Sequence, residues 1–200
     1  MKKSMLVVLC LMVVVALVGV QPAHAGTKGL KAGVTMMKFT GSDANFETIS
    51  PSYRTGFAFG AYLTHPLTPT LSFQPEAYYA MKGAKYEEGG DTMEFKLNYL
   101  QIPLLLKMQP VGGKAFFYAG PDVGINLNAK VKAESGGVSA ETDLNEVKSL
   151  DFGLTFGAGM DLNKISLEAR YTIGMSSIDD SANADSIKNS GLMVLVGLGL

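Results

Sequence analysis

The chain has 200 residues and a formal net charge of −1, with 18% charged residues against 47% hydrophobic ones. A charge so near zero excludes a nucleic-acid binder that works by neutralising phosphates, and the charged fraction falls below the roughly 25% of ordinary soluble domains. The one cysteine, Cys10, lies in the leading apolar run, so the chain that follows can form neither a disulfide nor a thiolate metal site.

Residues 1–25 read as a secretory signal peptide: Lys2 and Lys3 precede an apolar run over 5–20, and Ala23 and Ala25 supply the small residues for cleavage after Ala25. The run is too short for a spanning helix, which needs about 20 apolar residues. Residues 26–200 then suit a single domain.

Beyond the leader, apolar and polar residues alternate with a period of two, as in strands with one apolar face. The first strand, 30–39, sets Leu30, Ala32, Val34 and Met36 against Lys31, Gly33, Thr35 and Met37. The second, 53–64, sets Phe57, Phe59, Ala61 and Leu63 against Arg54, Gly56, Ala58, Gly60 and Tyr62, and ends in a turn that Pro66 and Pro69 shape beside His65. The third, 71–82, carries Glu76, Tyr78 and Lys82 on its polar face and leads into a polar segment over 83–92. In the fourth, Phe95, Leu97 and Tyr99 keep one phase and Leu100, Ile102, Leu104 and Leu106 the other, which predicts a β-bulge near Tyr99 or Leu100. The fifth runs from Ala115 for at least a dozen residues with Asp122 on its polar face, and a long acidic segment spans 130–148. The sixth, 149–162, opposes Phe152, Leu154, Phe156 and Met160 to Asp151, Thr155, Asp161 and three glycines. Asn163 and Lys164 form a two-residue hairpin in which Asn accepts a positive φ. The seventh is the cleanest: over 164–176, Ile165, Leu167, Ala169, Tyr171, Ile173 and Met175 face one way, and Ser166, Glu168, Arg170 and Thr172 the other. After a polar stretch over 179–187, the eighth alternates Leu192, Val194, Val196, Leu198 and Leu200 with Met193, Leu195 and glycines.

The step from Ile165 to Met175 covers about 33 Å, which a tilt near 40° reduces to a height of roughly 25 Å, the apolar band of an outer-membrane barrel. Short connections after strands two, four and six fall at one end and long polar ones at the other, as in bacterial outer-membrane proteins. Volume decides which face points inward. An eight-stranded barrel encloses little more than its own side chains, and the bulky apolar face could not fit inside it. The expected fold is all-β: an eight-stranded antiparallel up-and-down transmembrane β-barrel with its apolar face in lipid.

On the polar phase stand Arg54, Glu76, Lys107, Asp122, Asp151, Glu168 and Arg170, expected to pair in one lumen network because an unpaired charge in a confined interior is costly. Glu87, Glu88, Asp91, Asp179 and Asp180 crowd the long-loop rim. They either keep that rim hydrated or hold divalent cations weakly and diffusely, bridging to lipopolysaccharide or a basic partner; no loop has the spacing of an EF-hand.

Four sets of residues resemble a known family: Phe73-Gln74-Pro75-Glu76 with Tyr79, Lys82 and Gly83; Tyr99-Leu100-Gln101-Ile102-Pro103-Leu104-Leu105-Leu106-Lys107; Tyr118-Ala119-Gly120-Pro121; and Glu168-Ala169-Arg170-Tyr171 with Gly174. They are similar to the PorT-like outer-membrane β-barrel domain, often labelled the porin family. The resemblance spans 26–200 and implies a barrel of the OmpA or OmpX type from a Bacteroidota-like bacterium, in a family whose namesake is associated with protein secretion. Gln101, where the family commonly has an acid, and Leu200, where such barrels usually end in an aromatic, depart from the pattern.

The expected role is that of an integral outer-membrane protein of a Gram-negative bacterium, structural, adhesive or a scaffold for a partner, with a filled lumen. The alternatives are a narrow porin-like channel for small solutes or an accessory to protein secretion. Expected partners are outer-membrane lipid and lipopolysaccharide, the barrel assembly machinery and a secretion or surface partner, with no nucleic acid. No enzymatic activity, cofactor or metal is expected: hydrolases of this membrane need a histidine base near the outer rim, and His65 sits in a short turn at the other end.

Overall fold

Strand-forming alternation runs almost the full length of the computed structural model, which describes residues 26–41, 44, 50–144, 147–178 and 187–200. The leader expected over 1–25 lies outside these residues, as do Asp179 and Asp180. The described residues form nine antiparallel strands: β1 (Thr27–Thr40), β2 (Ser52–Pro66), β3 (Leu71–Glu88), β4 (Asp91–Met108), β5 (Ala115–Ser135), β6 (Val138–Asp143), β7 (Leu150–Leu162), β8 (Ile165–Gly174) and β9 (Lys188–Gly199). Eight of them close a ring, because β1 pairs with both β2 and β9 while β4 pairs with both β3 and β5. The ninth, β6, folds back on the far end of β5 from Lys130↔Asp143 to Ser135↔Val138.

The two faces separate by residue type. Leu30, Phe57, Phe59, Leu154, Phe156, Leu167, Val194 and Val196 point outward and are exposed, while Lys31, Glu76, Asp151, Thr155, Glu168 and Arg170 point inward and are buried. The ring is thus a barrel with an apolar exterior and a polar interior, the arrangement a hydrocarbon solvent requires. Asn163 turns the β7–β8 hairpin at φ 63°.

Two expectations are corrected. The phase conflict in the fourth strand is not a bulge there: β3 and β4 stay in one register from Leu71↔Met108 to Glu88↔Asp91, and Leu97, Tyr99, Gln101 and Leu105 are all buried on the inward side. The apolar residues of the outer half of β4 face the lumen. The slip lies in the neighbour, where Asn98 pairs with Asn128 but Tyr99 pairs with Asn126, leaving Leu127 of β5 as the extra residue. Likewise the polar segment over 83–92 is continuous ladder, reversed only at Gly89 and Gly90, whose φ of 59° and 97° suit a tight turn.

At the long-loop end an apolar cluster packs among the described residues. Phe39, Ala84, Tyr86, Leu97, Tyr99 and Ala129 pack with Ala44 and Ile178, and Phe95, Leu144, Val147 and Ile187 lean on them. The Tyr86 hydroxyl donates to the Ala44 carbonyl at 2.6 Å, which satisfies the one polar group this tyrosine brings into the cluster.

Candidate functional site

Three short-period strands bring four charges to one level of the lumen. Lys31 on β1 donates from Nζ to Glu76 Oε1 at 2.6 Å and to Glu168 Oε2 at 2.9 Å. Arg170 on β8 donates from Nη1 to Glu76 Oε2 at 2.7 Å, and its Nη2 also reaches Glu168. Gln74 adds a donor to Glu76 at 2.7 Å. Two cations and two carboxylates leave the cluster neutral, with every acid held by two basic groups. The Arg170 guanidinium lies 5.2 Å from the Tyr118 ring and 5.6 Å from that of Tyr78, close enough for cation–π attraction. Glycines on the facing strands admit these rings: a Cβ at Gly157 would stand 2.8 Å from Tyr118, and one at Gly60 would stand 2.3 Å from the Tyr78 Cβ.

The remaining charges fall into separate groups. Lys82 donates to Asp151 at 3.1 Å and lies 5.1 Å from the Tyr99 ring. Asp122 accepts from Thr155 at 3.0 Å and Gln101 at 3.3 Å, and among the described residues it makes no ion pair. Lys107 pairs with Asp161 at 2.8 Å over the Phe116 ring, and Arg54 pairs with Glu94 at 2.7 Å. The single network expected from the sequence is therefore divided: Glu76, Glu168 and Arg170 meet, whereas Arg54, Lys107, Asp122 and Asp151 belong to other layers. Strand tilt is the reason, since inward residues that are neighbours along a ladder stand at different heights in a barrel. Lys31, Lys82 and Asp161 were legible as inward by alternation alone; Glu94 stands opposite Lys85 in the β3–β4 ladder, on the other phase of β4, so alternation does not signal its pairing with Arg54.

Beyond the ring, β3, β4, β5 and β6 continue as one sheet. Its outer face is stitched across strands by Glu141, which accepts from Lys96 at 2.7 Å and Lys130 at 2.9 Å. Those bonds, Lys96 first, hold the Glu141 carboxyl down from its usual 4.5 to about 2. A lowered folded value means that the linkage is intact above the unfolded value and is lost as pH falls towards the folded one. Amide exchange over 138–143, corrected for intrinsic rate, is accordingly expected to accelerate between about pH 4.5 and 2 relative to the ring, and Glu141→Gln should remove that dependence. Equal pH dependence in both proteins would refute the linkage.

Glu87, Glu88 and Asp91 occupy the exposed tip of the β3–β4 hairpin, and Glu87 pairs with Lys85. Between this tip and the β5–β6 hairpin runs a groove of about 480 Å³ with an apolar floor that includes Tyr86, Met93 and Val138. Glu87, Glu88, Asp91 and Glu134 rim it. His65 lies in β2 at the short-turn end, opposite Phe73.

Residues 27–180 match the family model described as "Outer membrane protein beta-barrel domain". No curated protein matches the chain in sequence. Among solved structures it is similar to Ail, the attachment invasion locus protein of Yersinia pestis, at 14% identity and a TM-score of 0.52, over 88% of this chain and 100% of that one. Neisserial surface protein A is similar at 13% identity and a TM-score of 0.50, over 88% of this chain and 99% of that one. At identities this low the structural likeness shows the fold alone.

Proposed function

The chain belongs to the outer membrane protein beta-barrel domain family, and on that premise we propose that it is a non-enzymatic, filled barrel that anchors a docking platform at the cell surface. It would reach the outer membrane of a Gram-negative bacterium through the cleaved leader. The platform is the sheet that β3 to β6 extend past the ring, and the observation that carries the reading is β6. This strand ends the sheet order, all six of its residues are exposed, and its outer edge has no strand partner among the described residues. An unpaired edge is a template for an added strand, whose main chain supplies affinity while side-chain contacts supply selectivity.

The fitting occupant is an extended segment of another protein in which apolar residues alternate with Lys or Arg. Its apolar side chains would cover Val138 on β6, and the segment continuing from that edge across the groove would cover Met93 and bring its cations to the acids there. That Ail, an attachment protein by its description, uses the same fold supports a surface role. Within the family the motifs of β3, β4 and β5 favour the PorT-like branch, whose partner would be part of a secretion apparatus. Displayed peptides panned against the refolded barrel should enrich alternating apolar and basic sequences. Binding should be lost when a two-residue turn replaces 136–142, and weakened about tenfold by neutralising Glu87, Glu88, Asp91 and Glu134 together. Enrichment without basic residues, or binding indifferent to the loss of β6, would sink the reading.

A further inference from the structure

Three of the four family-like motifs carry a proline, and these prolines have a common geometric effect. Proline brings no N–H to a ladder and is rare in central strands, yet Pro75, Pro103 and Pro121 stand on the successive strands β3, β4 and β5. In each ladder the register skips the proline. β2–β3 passes from Tyr62↔Glu76 to His65↔Phe73, β3–β4 from Pro75↔Leu104 to Tyr78↔Gln101, and β4–β5 from Pro103↔Asp122 to Leu106↔Ala119. By antiparallel pairing, the missing amides would have met the carbonyls of Leu63, Glu76 and Leu104. The result is a diagonal of freed acceptors across the wall. On the lumen side the first gap is bridged, as Thr64 Oγ1 donates to Gln74 Oε1 at 3.0 Å.

A groove of about 210 Å³ on the outer surface is lined by two of the residues that carry these acceptors, Leu63 and Glu76. Leu30, Leu63, Ile102 and Leu200 wall it, and Ala61 and Ala77 leave it deep because they fill so little of it. Lys28 stands at its mouth, level with Leu63 in the β1–β2 ladder and near the short-turn end. Short turns face the periplasm in this class of barrel, so the groove opens at the headgroup level of the inner leaflet and runs into the hydrocarbon. A carbonyl without a donor in such surroundings is costly.

We propose that the groove seats one phosphate-bearing lipid of the inner leaflet that carries an amide N–H or a free hydroxyl at the root of its acyl chain. The phosphate meets Lys28, the N–H or O–H donates to the carbonyl of Leu63, and the chain lies over Ala61 and Ala77 beside Ile102. An ester-linked lipid offers the same charge and chain without the donor.

The test is native mass spectrometry of the detergent-solubilised barrel, with ceramide 1-phosphate and phosphatidic acid of matched chain length supplied in equal amounts. The barrel should retain the ceramide phosphate about tenfold better, the discrimination of one hydrogen bond in apolar surroundings. Ala61→Phe with Ala77→Phe should cut retention of both lipids at least about fivefold by filling the groove. Lys28→Ala should weaken both lipids alike and keep the ratio. Pro75→Ala returns an amide to Leu63, so the ratio should fall to about one while chain binding persists. Equal retention of the two lipids by the unaltered protein overturns the proposal, and so does a preference that survives Pro75→Ala in a barrel still heat-modifiable on gels.

Discussion

Arg170→Ala is expected to cost about 3 to 5 kcal/mol of barrel stability, the loss typical of removing one partner from a buried ion pair. Arg170 is 1% exposed and, with Lys31, donates to both Glu76 and Glu168. Without it, Lys31 alone must serve two carboxylates, each of which loses a charge-assisted bond. The rings of Tyr78 and Tyr118 also lose the group they enclose. The measurement is the urea midpoint of the heat-modifiable gel shift in lipid, with ΔG from linear extrapolation. Lys85→Ala serves as the contrast, since its pair with Glu87 is exposed and worth about 0 to 1 kcal/mol. Adding Glu168→Gln to Arg170→Ala should recover part of the loss, because one carboxylate then needs no cation. A loss below about 1 kcal/mol would mean that water reaches the cluster and screens it.

In planar bilayers the protein should show no steady openings of porin size. At the level of Glu76 the lumen is spanned by Lys31, Glu76, Tyr78, Tyr118, Glu168 and Arg170, all buried. Towards the loop end an apolar cluster packs around Leu97 and Tyr99. Eight strands leave room for side chains and hardly more. An ion would have to break both layers to pass, so conductance should stay at baseline in molar salt at neutral pH. Regular openings that survive repurification would overturn the filled lumen and restore the narrow-channel reading.

Alternation alone determined the faces of the cleanest strands, because a side-chain period of two leaves no other way to segregate Ile165, Leu167 and Ile173 from Ser166, Glu168 and Arg170. It determined the closed antiparallel barrel as well, since the bulky apolar face exceeds what an eight-stranded interior holds. The inward position of Glu76, Asp151 and Arg170 was legible for the same reason. What only the tertiary structure decided was every relation between strands. Tilt separated Arg54 and Lys107 from Glu76 by height, although all three share a phase. The bulge fell in β5 instead of β4, because an extra residue can be absorbed by either member of a pair, and Phe95, Leu97 and Tyr99 gain more by plugging the lumen than by facing out. The acidic segment over 83–92 became ladder because pairing with a neighbour, which local polarity does not report, satisfies its backbone. The diagonal formed by Pro75, Pro103 and Pro121 exists only once registers are set: three prolines far apart in the chain become one line of freed carbonyls when the barrel closes.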